Sequence, residues 1–488
     1  MDLNDAAPVA AFEAAAAPAA STLPPASAPP AETLARPDVS AEPHQPGGGT
    51  FAPLRQRNFA LLFSGQFIST LGDQVYGLAL PWTVLTATGD PRQMAIVLAA
   101  ATIPRVLLLL LGGALADRLN PRVVMLAADV GRALVVGVLG VTLFFGLPPL
   151  WLVSLLAALE GAGTGLFGPG VMATIPRILP EKQLPAGNGL FMVIQYGTLA
   201  IGPLLGGIAT AAQATLAFLA DAASFAVSSL TLFLMRLPRR GAEAVAPSGA
   251  PSTGPTTIGT DEASPPRKGL LREIGSGARY AFGHPLIRST MLVTIFGNFG
   301  FAAAFNVGVI VLAHAISPSP VTLGVLVAAL GVGGIVGGLF SGLLGKLPHR
   351  GVVALVLFLL SAVLVALIPY VAGSAGNIPT VSELLPALDL PQETRIAVIA
   401  GLLGLTGLIL ALGDTMFVTV MQQRIAPDYL ARVFSMQALA GGLMQPLSLV
   451  LAGALAALYG PGVVFAMGAV VLALGVLLGF GSRELRRI

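Results

Sequence analysis

Residues 92–145 read RQMAIVLAAATIPRVLLLLLGGALADRLNPRVVMLAADVGRALVVGVLGVTLFF. Two apolar runs, at 92–116 and 122–145, flank a short stretch that carries Asp117 and Arg118. Each run is long enough for the about 20 residues that a helix needs to cross a hydrocarbon core of about 30 Å. The stretch therefore predicts two membrane-spanning helices joined by a short charged loop.

The composition of the whole chain agrees with this local pattern. Of its 488 residues, 55% are hydrophobic and only 10% are charged, whereas an average soluble domain is roughly 25% charged. So few charged residues cannot cover a water-exposed surface. The mean hydropathy is +0.84, and the hydrophobic residues are distributed along the chain instead of being concentrated in one segment. We therefore predict an all-α membrane protein with many spans.

The apolar stretches divide into two sets of six, which predicts twelve transmembrane helices in two pseudo-symmetric halves. The predicted spans are 58–85, 92–116, 122–145, 150–172, 187–211, 215–236, 289–314, 321–345, 351–372, 394–420, 430–458 and 461–480. The N-terminal half occupies residues 54–237 and the C-terminal half residues 285–488.

Two segments lack this pattern. Residues 1–53 are rich in Ala and Pro without an apolar period, which predicts a disordered cytoplasmic tail. Residues 238–284 form a Pro/Gly/Ser/Thr-rich linker that ends in a helical repeat of apolar residues at 271–282. A helix lying on the membrane surface and a cytosolic packing helix both fit this repeat.

The positions of the basic residues predict the topology. Arg92 and Arg395 lie in loops on one side of the predicted spans, and Arg105 and Arg132 lie within spans. All the other Lys and Arg residues fall on the opposite side, which is therefore expected to face the cytoplasm. Both termini are then cytoplasmic.

Short phrases recur in the two halves. Pro203 interrupts span five as Pro446 interrupts span eleven, and Gly112-Gly113 near the end of span two matches Gly337-Gly338 near the end of span eight. Repeated six-helix halves around a central site are an architecture of secondary transporters.

Several other functions are excluded by missing residues. The chain has no cysteine, and its four histidines lack the spacing of metal ligands, so no metal site or cofactor is expected. It has no Gly-x-x-x-x-Gly-Lys-Ser/Thr loop for a nucleotide and no nucleophile constellation, so neither an ATP-driven pump nor an enzyme is expected. No basic face with interleaved aromatic residues indicates nucleic-acid binding.

The stretch between the second and third spans resembles the signature of the major facilitator superfamily. It reads Gly113-Ala-Leu-Ala-Asp117-Arg118-Leu-Asn120-Pro121-Arg122. Gly113 allows close helix approach, while Asp117, Arg118 and Arg122 are suited to a charge network that acts as a cytoplasmic gate. The other interpretation is that these are ordinary cytoplasmic loop charges.

Span five contains Gly202-Pro203-Leu-Leu-Gly206-Gly207, which resembles the motif of the antiporter branch of that superfamily. Proline bends a helix, and glycines let another helix pack close to the bend. These residues predict a pliable seam between the halves, with ordinary small-residue packing as the alternative.

Further phrases resemble the macrolide-efflux and enterobactin-exporter branch of the drug:proton antiporters. They include Asn58-Phe59, Gly72-Asp73, Pro104-Arg105 and Asp221-Ala-Ala-Ser224-Phe225. The resemblance implies a monomeric, multi-pass carrier of the bacterial inner membrane. It implies export of amphipathic compounds such as drugs or macrolides, driven by the proton gradient. Export of a dedicated siderophore or natural product, and proton-coupled import, remain open.

Ionisable residues within spans are costly and are therefore candidates for function. Asp73, Arg105 and Glu160 are the predicted proton-coupling residues, with Asp73 or Glu160 as the expected partner of Arg105. Asp129 and Arg132 are three residues apart and are expected to form a local, structural charge pair.

Two further acids complete the set. Asp221 begins a face that carries Ser224, Ser228 and Ser229, for which a structural role is expected. Asp414, in span ten, is predicted either to act in a cytoplasmic gate or to cap its helix. The substrate surface is expected to include polar and aromatic residues, namely Gln66, Tyr76, Phe191, Gln195, Tyr196, Phe296, Asn298, Phe301, Phe305, Asn306 and Met416.

Overall fold

The computed structural model of the protein describes residues 49–118, 120–236, 285–344, 347, 349–373, 390–425 and 427–486. The side chains at 110–118, 343–344, 427–432 and 435 are not among the described atoms. The predicted linker at 238–284 and the predicted tail, up to residue 48, lie outside the described residues.

Twelve long helices make up this described part of the chain. They are α1 (Arg57–Thr88), α2 (Pro91–Arg118), α3 (Pro121–Phe144), α4 (Leu150–Ile178), α5 (Leu184–Ala212), α6 (Ala214–Leu234), α7 (Pro285–Ile316), α8 (Pro320–Leu344), α9 (Arg350–Val371), α10 (Gln392–Arg424), α11 (Pro427–Tyr459) and α12 (Pro461–Phe480). Short 3₁₀ turns lie at Ala52–Arg55 and Glu181–Gln183, and a last turn, α13, at Arg483–Arg486.

Eleven of these described helices are long and apolar enough to cross a membrane. The exception is α1, which is 32 residues long but carries polar residues along its length, among them Ser64, Gln66, Asp73 and Gln74. Gln66, Asp73 and Gln74 are partly buried, and a helix packed among other helices tolerates polar residues that do not face lipid.

The predicted spans agree with the helices to within a few residues. Six helices begin at a proline, as α2 does at Pro91 and α8 at Pro320, because the missing N–H of proline costs no helical hydrogen bond in the first turn. The largest difference is in α4, which continues past Pro169 and Pro176 to Ile178. A second difference is the π-helical turn at Ala304–Gly308 within α7.

The two halves meet through two equivalent helix pairs, α2 with α11 and α5 with α8. The pairs are related by the repeat of the sequence, because α2 corresponds to α8 and α5 to α11. Gly453 of α11 lies against Ala95 of α2, while Gly331 of α8 lies 2.7 Å, measured from an added Cβ, from the Leu199 carbonyl of α5. The all-α fold with twelve helices in two six-helix halves is thus confirmed.

The packing differs between the two ends of the bundle. We call the end where α1 begins and α12 ends the terminal end, and the opposite end the distal end. At the distal end one apolar core joins both halves, with Trp82 and Leu85 of α1 in the same cluster as Leu312 of α7. We refer to this cluster as the shared core.

Toward the terminal end each half has its own core instead. One is built on Phe59 and Met125 in the first half, and the other on Ile287 and Phe358 in the second half. The halves therefore share one apolar core at the distal end and have separate cores toward the terminal end.

Candidate functional site

Arg132 of α3 is at the centre of a buried charge cluster. Its side chain is only 4% exposed, and its Nη2 and Nε donate to Glu160 Oε1 of α4 at 2.9 and 3.2 Å. Nη2 also donates to Asp73 Oδ1 of α1. The guanidinium lies 3.8 Å from the centre of the Phe225 ring of α6, a favourable position for a cation. One side chain thus links four helices of the first half.

Glycines bring these helices close enough for the contacts. A Cβ on Gly163 of α4 would lie 2.5 Å from Cγ of Arg132, so only glycine leaves room for the arginine stem. A Cβ on Gly72 would overlap Ser224 Oγ and Asp221 Oδ1 of α6. The residue after Gly72 is Asp73, which is therefore held at the α1–α6 contact.

The two acids that contact Arg132 are held differently. Glu160 Oε1 accepts hydrogen bonds from Thr164 Oγ1 at 2.8 Å as well as from two nitrogens of Arg132, and its side chain is 11% exposed. Asp73 accepts from Arg132 alone among the described residues, and its side chain is 35% exposed. Asp73 is therefore the more accessible acid and has fewer described hydrogen bonds.

Two more acids surround this centre. Asp129 Oδ1 lies 3.8 Å from Arg132 Nη1, so the local pair forms only a long contact, and the shorter contacts of Arg132 go to other helices. Asp221 is fully buried and accepts a hydrogen bond from Ser224 Oγ at 3.2 Å. The described cluster therefore contains four carboxyl groups and one guanidinium.

The expected pairing of Arg105 with Asp73 or Glu160 is not found. Arg105 is exposed and forms no ion pair with a described residue, while both acids contact Arg132 instead. The requirement for a partner assumed that the guanidinium was buried, and an exposed guanidinium stays hydrated.

The motif between α2 and α3 is described in part. Arg122 Nε and Nη2 donate to the carbonyls of Leu232 and Phe233, at 2.8 and 2.5 Å, near the end of α6. Leu232 O also accepts from the backbone N–H of Met235 at 3.3 Å, and Arg122 adds side-chain donors to both carbonyls, so it helps to cap the C-terminal end of α6. The side chains of Asp117 and Arg118 are not among the described atoms, and neither are the surroundings of Gly113. The predicted charge network therefore remains a prediction.

The Gly-Pro motif of α5 faces two neighbouring helices. Added Cβ atoms would lie 2.5 Å from Gln74 Cβ at Gly202 and 3.0 Å from Val75 Cα at Gly206, so both glycines pack on α1. Gly207 faces α8, with Pro320 O at 2.6 Å, and Pro203 O lies equally close to Gly324 of α8. The motif is therefore located where α5 meets the opposite half.

A cavity of about 340 Å³ lies mainly in the second half. Most of its wall is apolar, and Phe301 and Phe305 stack with ring centres 4.4 Å apart. The π-helical turn at Ala304–Gly308 borders it, as such turns often do at functional sites. The polar and aromatic residues of the wall are Tyr196, Thr294, Asn298, Phe301, Phe305, Phe358, Ser361, Thr406, Asp414 and Phe417.

Four of the predicted substrate-surface residues line this cavity, namely Tyr196, Asn298, Phe301 and Phe305. Tyr76 and Met416 are instead buried in the cores, and Phe191 packs against Phe59 and Phe63. Gln66, Gln195, Phe296 and Asn306 are not in its wall.

Asp414 lies in this wall and does not cap a helix, because α10 continues for ten residues beyond it to Arg424. The capping interpretation is therefore wrong. The sequence does not reveal the cavity, because its wall combines residues from six helices. In the described residues, no group of three or more His, Asp or Glu is placed to hold a metal ion.

Comparison with known proteins bears on this arrangement. Residues 62–385 match the sequence profile of the Major Facilitator Superfamily. Macrolide efflux protein A of Streptococcus pyogenes is 21% identical over 80% of this chain and 88% of its own length. The multidrug efflux pump Tap of Mycolicibacterium fortuitum is 27% identical over 88% of this chain and 96% of its own length.

Solved structures share the fold. A bacterial homologue of the human lysosomal transporter Spinster, in an inward-facing and unoccupied conformation, aligns with a TM-score of 0.61 at 15% identity, over 89% of this chain and 98% of that one. The nucleoside transporter NupG aligns with a TM-score of 0.60 at 13% identity, over 87% of this chain and 100% of that one.

Proposed function

Because this chain belongs to the Major Facilitator Superfamily, we propose that it is a proton-coupled exporter of small amphipathic compounds in the bacterial inner membrane. It is a multi-pass membrane transporter, and its relatives include proteins named for macrolide and multidrug efflux. Those names support export of drugs or similar molecules by this chain as well.

The observation that carries the proton coupling is the cluster around Arg132. Its four carboxyl groups outnumber the single guanidinium, and like charges held close together repel one another. Binding of a proton relieves part of this repulsion and weakens one contact of Arg132. Binding and release of a proton can therefore be coupled to movement of the helices that Arg132 links.

Within the cluster, we assign the exchanged proton to Asp73. It has the single described contact and the more exposed side chain, whereas Glu160 is held by three donors. Neutralising Asp73 would free α1 from Arg132 and leave the α3–α4 contact through Glu160 in place. In this scheme Asp73 binds and releases the proton, and Glu160 keeps its contact with Arg132 throughout.

The orientation follows from the basic residues. If their excess marks the cytoplasmic side, the terminal end faces the cytoplasm. The halves have separate cores at that end, which supports an opening toward the cytoplasm and suits a carrier that collects its substrate there. The shared core would close the path to the outside.

Uptake into everted membrane vesicles tests this function. Ethidium, erythromycin and a ferric siderophore would each be supplied outside the vesicles, with an interior made acidic by respiration. We expect accumulation of ethidium or erythromycin with the wild type, and loss of accumulation with Asp73→Asn. Glu181→Gln, which removes an exposed acid at the terminal end, should behave as the wild type.

Each other outcome has a defined meaning. Wild-type accumulation by Asp73→Asn would contradict the assignment of the proton to that residue. Accumulation of the siderophore alone would favour a dedicated exporter, and substrate loss from preloaded everted vesicles would indicate import. No gradient-dependent movement of any probe would contradict proton-coupled transport of these classes.

A further inference from the structure

We propose that Asp414 makes the cavity of the second half a binding site for amphipathic cations, such as compounds with an apolar body and a protonated amine or quaternary ammonium group. This inference rests on the proposed function and names the substrate class of that transporter. It assigns cation recognition to the second half and proton exchange to the first half.

The charge of the cavity supports this assignment. Asp414 is the one charged residue in the described wall, and it forms no ion pair with any residue in the part of the chain that the structure describes. The side chain is exposed although α10 crosses the bundle. A carboxylate that lines an otherwise uncharged cavity, and that no described residue of this chain pairs with, is available to a cationic group of a ligand.

The rest of the wall suits the apolar and cationic parts of such a ligand. Phe301 and Phe305 present a stacked pair of rings, and Phe358, Phe417 and Tyr196 add further aromatic surface. Aromatic rings are neutral, but the quadrupole of the ring makes its face partly negative, which attracts cations and disfavours anions. Few polar groups among apolar walls are typical of sites for small molecules.

The position of the site links it to the movement of the halves. Asp414 is in α10 of the second half, while Tyr196 and Leu199, from α5 of the first half, complete the wall. A ligand bound to Asp414 can therefore contact both halves, toward the end of the bundle where the halves have separate cores. Its binding can favour closure around it without a direct contact to the Arg132 cluster.

Two ions of matched size and opposite charge test the inference. Binding of tetraphenylphosphonium and tetraphenylborate would be measured by calorimetry with the purified full-length protein in lipid nanodiscs. We expect Asp414→Asn to weaken binding of the cation by about 10- to 100-fold, as expected for loss of one interaction with a charged group. Binding of the anion should stay equal or become tighter.

Two matched variants complete the design. Asp414→Glu keeps the charge and should retain most of the affinity for the cation. Glu393→Gln removes the exposed acid in the first turn of the same helix, and it should leave binding of both ions unchanged.

Three results of the binding measurements would overturn the inference. They are failure of the wild type to bind the cation, equal cation affinity of the wild type and Asp414→Asn, and parallel loss of both ions in Asp414→Asn. The last result would mean that Asp414 only shapes the cavity. Gradient-driven uptake in vesicles separates the two proposals: binding through Asp414 without uptake contradicts the transport function, and uptake unaffected by Asp414→Asn contradicts cation recognition.

Discussion

Arg132 provides the positive charge that compensates the buried carboxyl groups of the first half. It contacts Asp73 and Glu160 from two other helices and lies against the ring of Phe225. A buried ion pair adds little net stability, but removal of one partner is costly because the other charge is left without compensation. Removal of the Arg132 guanidinium would leave the carboxyl groups of Asp73, Asp129 and Glu160 without a compensating charge.

We therefore expect Arg132→Ala to lower the free energy of unfolding by about 3 to 5 kcal/mol. The check is thermal or denaturant unfolding of the purified protein in detergent. Arg132→Lys should fall between the wild type and Arg132→Ala, because a single ammonium group does not reproduce the contacts of Nε and Nη2. Arg92→Ala, at an exposed arginine, should change little, and equal stability of Arg132→Ala and wild type would contradict the structural importance of the cluster.

The sequence identified the members of this cluster but not their pairing. Asp73, Asp129, Arg132, Glu160 and Asp221 stand out because charges are rare within apolar spans. Spacing on one helix finds only the local pair, Asp129 with Arg132, whereas the short contacts join α1, α3 and α4. Which helices are neighbours depends on packing that one sequence does not show.

At the scale of the elements, the contact between α5 and α8 is one of the two helix pairs through which the halves meet. Gly207 lies against Pro320 O, and Gly324 lies against Pro203 O, so the two helices touch through their backbones. Small residues allow such close approach in membranes, where packing supports helix association. A side chain at these positions forces the helices apart.

We predict that Gly207→Ala loosens the α5–α8 contact and slows transport. The added Cβ would lie 2.6 Å from the carbonyl oxygen of Pro320, so backbone must move. Labelling of a Leu323→Cys reporter in the shared core measures the effect, because the chain has no cysteine of its own. Labelling should be faster with Gly207→Ala.

Gly197→Ala is the matched control, since nothing lies within 4 Å of a Cβ added at Gly197 on the same helix. It should leave labelling and transport unchanged. Equal labelling of the reporter with and without Gly207→Ala would show that this glycine does not hold the distal end closed.

Helix boundaries were predictable where sequence signals are strong, and less so elsewhere. Prolines such as Pro91 and Pro461 mark helix starts, and all twelve spans were found. The continuation of α4 past Pro176 was missed, because an internal proline normally ends a helix in water. No pattern in the sequence predicts the π-helical turn at Ala304–Gly308.

For the whole molecule, orientation in the membrane decides which side the terminal end faces. If the excess of basic residues marks the cytoplasmic side, the terminal end is expected to face the cytoplasm. Gln213, between α5 and α6 at the distal end, and Glu484, in α13 at the terminal end, are both exposed.

We expect Gln213→Cys to react with a membrane-impermeant maleimide on intact cells. Glu484→Cys should react only after the cells are permeabilised. The cysteine-free background of the chain makes the comparison direct. The reverse labelling pattern would place both termini outside the cell and turn the terminal end toward the exterior.

The shared core also sets a kinetic condition on turnover. When the distal end opens, apolar surface around Trp82 and Leu312 becomes wet, and wetting costs about 25 cal/mol for each Å² exposed. Closure at the terminal end returns part of this free energy by drying the surfaces there. In the proposed transport cycle, burial of apolar surface at one end thus offsets its exposure at the other, and we expect the wetting of the shared core to add to the barrier of each turnover.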